Sequence, residues 1–285
     1  MQQPSSTFGL IDGAASPARL QPLLEQSGTQ FVSLYEGLPE AQLGPASLFL
    51  ARIDDPDAAW VTELDRIDLH SPCLTLVWSG VELRDLATHL RAFLFAGIGD
   101  GATAMVRFFD PRNTGAVLDM WGDQIRDVFM APIERLKYRG RHEQWQAVEN
   151  DSLNTGRISR SVMIELDQKD IDRLMAHTEP DELMASLIDL GHIDETRSYR
   201  SRFLEFEPRY RRALEWGFVE PRDRLGYCDY SYRYGADFDQ HRYIRDALVA
   251  RRRTGGTFDT MLDRMPGWVW DELKRGSKAW SRAQS

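Results

Sequence analysis

The chain has 285 residues, of which 42% are hydrophobic and 28% charged, a composition typical of a globular protein with a substantial core. No apolar run approaches the roughly twenty residues that cross a bilayer, and the first seven residues lack the basic and apolar regions of a secretion signal. We therefore expect a cytoplasmic protein without a membrane span. Two cysteines, Cys73 and Cys228, give no support for a disulfide scaffold or a zinc knuckle.

The formal net charge is −9 and is unevenly distributed. Residues 1–150 contain 20 acidic and 12 basic side chains, whereas residues 151–285 contain 24 and 23. Nucleic-acid binding requires clustered positive charge, so the acidic balance disfavours it. The densest basic run, residues 251–253, precedes Gly255 and Gly256, which predicts the charged last turn of a helix. A basic clamp on an acidic partner, or a nucleic-acid regulator using these arginines, is the alternative.

The N-terminal half alternates short apolar strands with amphipathic helices. Strands are predicted over residues 8–12, 31–36, 47–53, 74–78 and 105–109. Helices are predicted from Pro17, from residue 59, and behind a capping box at residues 79–82. Residues 74–109 thus predict a βαβ-like unit. A helix over residues 117–129, weakened by Gly122, and a pair of edge strands or a hairpin around Gly140 complete this half.

The C-terminal half is mainly helical in its periodicity. Residues 150–156 are polar and turn-forming and predict a linker. Helices are predicted over residues 167–177 and 180–190, and over residues 194–216 with a break at Pro208. The predicted fold class is an α/β N-terminal lobe, a mixed sheet with flanking helices, over residues 1–150, followed by a mostly α-helical lobe over residues 151–285.

Four segments of the first half carry a resemblance to a known family. They are residues 10–13 (LIDG), residues 33–40 (SLYEGLPE), residues 89–91 (HLR) and residues 107–112 (RFFDPR). In this order and spacing they resemble the motifs of the bacterial type VI secretion effector-adaptor family, the Tap/TEC chaperones long described as a domain of unknown function. The second half resembles that family only as a helical extension.

The resemblance implies a non-enzymatic adaptor or chaperone. Such a protein binds an effector toxin in the cytoplasm and loads it onto the spike, formed by a VgrG or PAAR protein, without being secreted itself. It needs no cofactor, no metal, no nucleic acid and no membrane. The resemblance does not specify the effector, the spike protein or the oligomeric state.

Three of the motif residues also suggest a different function. Asp12 and Asp110 each follow an apolar strand, and two carboxylates at strand ends can hold Mg²⁺ with His89 nearby as a base. The alternative function is therefore a metal-dependent hydrolase using Asp12, Asp110 and His89. The structural interpretation is favoured, because aspartate before glycine or proline caps turns and Arg107 or Arg112 can pair with it. His89 is expected to bond a neighbouring strand.

Arginine supplies 31 of the 35 basic side chains, and its planar guanidinium suits fixed pairing with carboxylates. Buried ion pairs between helix and strand would explain arginines inside apolar runs. We predict no catalytic and no metal-binding residues. The predicted partner-binding or structural motif residues are Asp12, Glu36, His89, Arg91, Arg107, Asp110 and Arg112. Aromatic clusters at residues 227–234 and 268–270 belong either to a core or to an exposed client-binding face.

Overall fold

The computed structural model describes residues 5–150 and 156–283, the last eight as backbone only. Contacts divide the chain into two compact units. Unit 1 comprises the residues up to His177 together with Ser198–Arg200, and unit 2 comprises Thr178–Arg197 and the residues from Ser201 onward. The predicted fold class, an α/β lobe followed by a helical lobe, is confirmed.

A six-stranded sheet forms the centre of unit 1, and its strands lie in the order β2-β3-β1-β4-β7-β8. Every pairing in it is antiparallel. Two further strands form a small separate hairpin. The strands are β1 (Ser6–Asp12), β2 (Phe31–Ser33), β3 (Leu48–Ile53), β4 (Leu74–Ser79), β5 (Phe95–Gly97), β6 (Thr103–Met105), β7 (Arg135–Arg139) and β8 (Trp145–Glu149).

Four helices belong to unit 1 alone: α1 (Pro17–Ser27), α2 (Ala59–His70), α3 (Leu83–Arg91) and α4 (Thr114–Met130). Alternation along the strands gives the sheet two apolar faces. One face, with Phe8 and Leu10, packs in a core with residues of α3 and α4. The other face, with Ile11, packs in a smaller core with residues of α1 and α2. Gly122 has a φ of 61° and interrupts α4, as its low helix propensity predicts.

The βαβ-like interpretation of residues 74–109 is wrong. Ser79 ends β4 instead of capping a helix: its hydroxyl donates to the Pro132 carbonyl, and α3 begins at Leu83 without a side-chain cap. Of the predicted strand at residues 105–109, only Met105 lies in a strand; the chain then turns, and the amide of Phe108 donates to the carbonyl of Val106. Buried aromatic residues produced the strand-like pattern, because tight turns and strands can bury equally apolar side chains.

Unit 1 extends beyond residue 150, where its predicted domain ends, because later residues complete its core. Gly97 and Glu165 form an isolated parallel bridge, and Ile164 is buried in the same core as the β1 residues. Residues 151–155 of the predicted linker lie outside the described part of the chain.

Helices also dominate the remainder of the chain. They are α5 (Gln168–Asp189), α6 (Tyr199–Glu215), α7 (Pro221–Tyr234), α8 (Arg242–Thr254), α9 (Phe258–Leu262) and α10 (Gly267–Ala283). The core of unit 2 is aromatic, with Phe218, Tyr227 and Phe258 in mutual ring contact. Pro180 and Pro208 lie inside helices, so both predicted breaks are wrong. Buried residues on both sides, such as Glu179 and Leu183 around Pro180, show packing that offsets the missing hydrogen bond.

In the part of the chain that the structure describes, no helix has the length and apolar character needed to cross a membrane. Cys73 and Cys228 are buried free thiols, one in each unit.

Candidate functional site

Asp12 stands at the end of β1, where the chain turns into a short 3-10 helix. Its carboxylate accepts a hydrogen bond from the Ala14 amide at 3.1 Å and thereby caps that turn. The other oxygen accepts a charged hydrogen bond from Arg107 Nη2 at 2.7 Å. Asp12 is buried, whereas the Arg107 side chain is 46% exposed. The capping role expected from the sequence is therefore present together with an ion pair.

Asp110 is held by the arginine two residues later. Asp110 Oδ1 accepts from the Arg112 amide at 3.0 Å and from Arg112 Nε at 2.9 Å, and Oδ2 accepts from Arg112 Nη2 at 2.7 Å. This two-pronged pairing is the strongest form of the arginine–carboxylate interaction. Arg107 Nη2 also lies 3.6 Å from Asp110 Oδ2, so Arg107 bridges both aspartates. We call Asp12, Arg107, Asp110 and Arg112 the motif cluster.

The two carboxyl groups of the motif cluster differ in their proton affinity. Burial raises the pKa of Asp12, and the charge of Arg107 only partly opposes this. Burial also acts to raise the pKa of Asp110, but the charges and hydrogen bonds of Arg112, with Arg107, outweigh it and leave the pKa of Asp110 lowered. Asp110 is thus ionised at neutral pH, while Arg107 is the main charge that opposes the rise in the pKa of Asp12.

Arg107 and Arg91 are fixed by different partners. The Arg107 guanidinium lies 5.4 Å from the centre of the Phe109 ring, which limits its freedom. Arg91 is not in the predicted ion pair: its Nε donates to the Leu34 carbonyl at 2.8 Å and Nη2 to the Ser33 carbonyl at 3.3 Å. Arg91 therefore ties α3 to the chain at the end of β2. Glu36, three residues beyond β2, is exposed.

His89 is fully buried instead of lying at the edge of the core. Its Nδ1 accepts from the Ser159 amide at 3.0 Å, so the proton sits on Nε2, which donates to the Phe129 carbonyl at 2.8 Å. These partners belong to α4 and the segment after residue 156, and the predicted strand partner is wrong. Burial lowers the pKa of His89 to about 4, against the opposing effect of the Phe129 carbonyl. Both ring nitrogens are occupied, so His89 is a neutral structural histidine here.

The structure thus places four of the predicted residues in contact and gives two others different hydrogen-bond partners. Asp12, Arg107, Asp110 and Arg112 are in contact, whereas His89 and Arg91 serve separate hydrogen-bond sets. Among the described residues, no group of three histidine, cysteine, aspartate or glutamate side chains has an arrangement that could hold a metal ion.

Unit 1 holds a second buried ionic group, which was not among the predicted site residues. Asp68 on α2 accepts from the amides of Cys73 and Leu74, each at 2.8 Å, and from Arg139 Nη1 at 3.0 Å. Burial raises the pKa of Asp68 to about 6, despite these hydrogen bonds. The alternating charges of β7 were a signal for this contact, but its partner is 71 residues away in sequence.

The aromatic and basic clusters of unit 2 contain both buried core residues and exposed surface residues. Tyr227 is buried, whereas Tyr243 and Trp268 are 51% and 46% exposed and pack edge to face with ring centres 4.8 Å apart. Arg251 is buried and donates to the carbonyls of Gly256, Trp216 and Gly217. The arginine run ends α8 before Gly255 in the left-handed conformation, as the helix-end interpretation predicts.

Comparisons with known proteins give one finding. Searches among curated proteins and among solved structures returned no match. Residues 7–127, less than half of the chain, match the model of a family described as a domain of unknown function (DUF4123), and this span contains every residue of the predicted motif set.

Proposed function

We propose that this protein is a non-enzymatic adaptor that binds a type VI secretion effector in the cytoplasm and loads it onto the VgrG or PAAR spike. The observation that carries the proposal is the state of the motif cluster. Its carboxylates are buried and paired, while the half-exposed Arg107 presents a fixed guanidinium at the surface. Such an arrangement supports recognition of a partner, because arginine held in one geometry loses little entropy on binding.

An adaptor of this kind holds an effector and a spike protein, so it needs two binding surfaces. The motif cluster supplies one in unit 1. In unit 2, the exposed Tyr243–Trp268 pair supports a client-selecting role for the helical lobe, since aromatic side chains are enriched at interface hot spots.

The test is affinity purification of the tagged full-length protein from its native cells, with a high-salt wash that screens weak surface attractions. The proposal expects a toxin-like protein or a spike subunit to remain bound. Arg107→Gln should lose at least one such partner, and Arg84→Gln, which removes an exposed charge elsewhere in unit 1, should lose none. Recovery of no partner with the wild-type protein would overturn the proposal.

One observation favours a second candidate, the metal-dependent hydrolase. Asp12 and Asp110 lie close enough for one Arg107 nitrogen to contact both carboxylates. If Arg107 were displaced, a metal ion could occupy its place between the two carboxylates. This candidate predicts calorimetric binding of Mg²⁺ or Mn²⁺ that Asp12→Ala or Asp110→Ala abolishes, and no tight protein client. Retained metal binding in both variants would contradict it.

A further inference from the structure

Strand β8 forms one edge of the six-stranded sheet. It pairs with β7 on one side, and within the described residues no strand pairs with its other side. Its five residues contain neither proline nor lysine, two residues that commonly protect exposed edges. Four of the five are exposed.

The register shows which backbone groups of β8 point away from the sheet. The Asn150 amide donates to the Glu134 carbonyl at 2.9 Å, and the same register pairs Leu136 with Val148. Hydrogen-bonded and non-bonded pairs alternate in an antiparallel ladder. Gln146 and Val148 therefore bond β7, and the amides and carbonyls of Trp145, Ala147 and Glu149 point outward. An edge of this kind is a template for an additional strand.

Three basic side chains lie beside this edge, and two of them are paired with carboxylates: Arg139 with Asp65 and Asp68, and Arg135 with Glu149. Arg139 lies over the Trp145 ring at 4.4 Å, and Arg135 Nε lies 2.7 Å from Glu149 Oε1. Lys137, between these arginines, is opposite Ala147 in the register. Its ammonium group lies 5.9 Å from the Trp78 ring, and no carboxylate pairs with it in the described chain.

We propose that the β8 edge binds an extended segment of the effector by strand addition, with an acidic side chain of that segment opposite Ala147. The identity of the occupant as the effector rests on the proposed function. Adjacent strands lie about 4.8 Å apart, so the residue facing Ala147 lies roughly 10 Å from the Lys137 backbone. The methyl group of Ala147 leaves space for a glutamate and the lysine to meet across it.

A second copy of this chain fits the edge less well. A symmetric antiparallel pairing of two β8 strands about Ala147 would place Ala147 opposite Ala147, so it would bring no carboxylate opposite Ala147. Two copies with a net charge of −9 each would also repel one another.

The test is a titration of the isotope-labelled full-length protein, followed by amide chemical shifts and hydrogen exchange. The probe is a nine-residue acetylated and amidated peptide of alternating threonine and valine with a central glutamate. We expect new protection at the amides of Trp145, Ala147 and Glu149. Ala147→Pro should abolish binding while preserving the fold, because the lost amide points outward. Ala147→Val keeps that amide and should bind.

The charge requirement has its own control. Replacing the central glutamate of the peptide by glutamine should weaken binding about threefold, the effect of one exposed ion pair. This preference should vanish in Lys137→Gln. No shift at millimolar peptide, or equal binding by Ala147→Pro, would overturn the inference. Conversion of a dimer to a monomer by Ala147→Pro would instead identify a second copy as the occupant and also overturn it.

The test of the β8 edge and the test of the adaptor function can fail independently. If the wild-type protein and Ala147→Pro retain the same effector after affinity purification, the edge inference fails and the adaptor function stands. If the peptide adds to β8 but the wild-type protein retains no partner, the adaptor function fails and the assignment of the occupant fails with it.

Discussion

The motif cluster of unit 1 and the Glu179–Arg224 pair of unit 2 use the same chemical pair, arginine and a carboxylate, in opposite ways. In the motif cluster of unit 1, buried aspartates hold Arg107, whose side chain is 46% exposed. In unit 2, Glu179 pairs with Arg224, and their side chains are only 11% and 10% exposed. Tyr210 donates to the same glutamate at 3.0 Å. The first arrangement presents a cation to solvent, and the second joins helices inside a core.

This difference in exposure indicates that the surroundings of an ion pair decide whether it contributes to stability or to recognition. A buried pair is costly to break, because the remaining charge is left without a partner. A pair with an exposed member contributes little to stability but leaves a charge available to another molecule. The substitutions below should therefore separate in their effects on unfolding and on partner binding.

The largest loss of stability is expected from Glu179→Ala. It leaves the Arg224 guanidinium buried with the Phe218 and Val219 carbonyls as its remaining hydrogen-bond partners among the described residues. The free energy of unfolding should fall by about 3 kcal/mol, measured by urea denaturation. Arg222→Ala, which breaks the exposed pair with Asp259, should change it by less than about 0.5 kcal/mol. Similar changes in the free energy of unfolding for the two substitutions would contradict the expected difference between buried and exposed ion pairs.

His89 should make unit 1 sensitive to acid. Its pKa is about 4 in the fold, below the ordinary value of 6.5, so the unfolded chain takes up its proton first as pH falls. The stability that this pKa shift contributes is fully present above about pH 6.5 and is lost between about pH 6.5 and 4, where it amounts to roughly 3 kcal/mol. Urea unfolding of wild type and His89→Gln across this range should show a smaller decrease in the variant. Equal slopes would contradict the neutral, buried state of His89.

The two aspartates of the motif cluster should respond unequally to neutralisation. Asp110→Asn should cost about 2 kcal/mol at pH 7, because the lowered pKa of Asp110 means that the fold favours the charged form. That contribution is present above the unfolded pKa and is lost as pH falls through the folded pKa. Asp12→Asn should cost less than about 1 kcal/mol, since burial raises the pKa of Asp12. Urea denaturation of both variants tests this order, and a larger loss for Asp12→Asn would reverse it.

Much of the fold followed from local patterns in the sequence. The apolar runs of β1, β3 and β4 and the hairpin of β7 and β8 were predicted within a few residues. The first three strands and β7 carry buried apolar side chains, and Gly140 marked the turn of the hairpin. The turn after Met105 was not predicted, and the predicted helices around Pro180 and Pro208 were wrongly broken at these prolines. In these places tertiary packing outweighs local preference, and the apolar composition of a buried turn resembles that of a strand.

The candidate site was predictable in its members but not in its pairings. Aspartate beside glycine or proline predicted turn caps at Asp12 and Asp110, and nearby arginines predicted ion pairs. The bridging position of Arg107 depends on contact across 95 residues of sequence. The open edge at β8 could not be predicted, because it depends on the order of the strands in the sheet, which no short sequence pattern specifies. Burial of His89 was missed because it lies beside the apolar stripe of α3 and gains its partners from distant segments.

Arg107→Gln tests the docking role of the motif cluster most directly. Because this side chain is half exposed, its loss should lower the unfolding free energy by less than about 1 kcal/mol. Calorimetry with the partner that co-purifies with the wild-type protein should then show at least a tenfold weaker affinity, with Arg84→Gln unchanged. Unchanged affinity of Arg107→Gln for every retained partner would show that the motif cluster is not a docking surface.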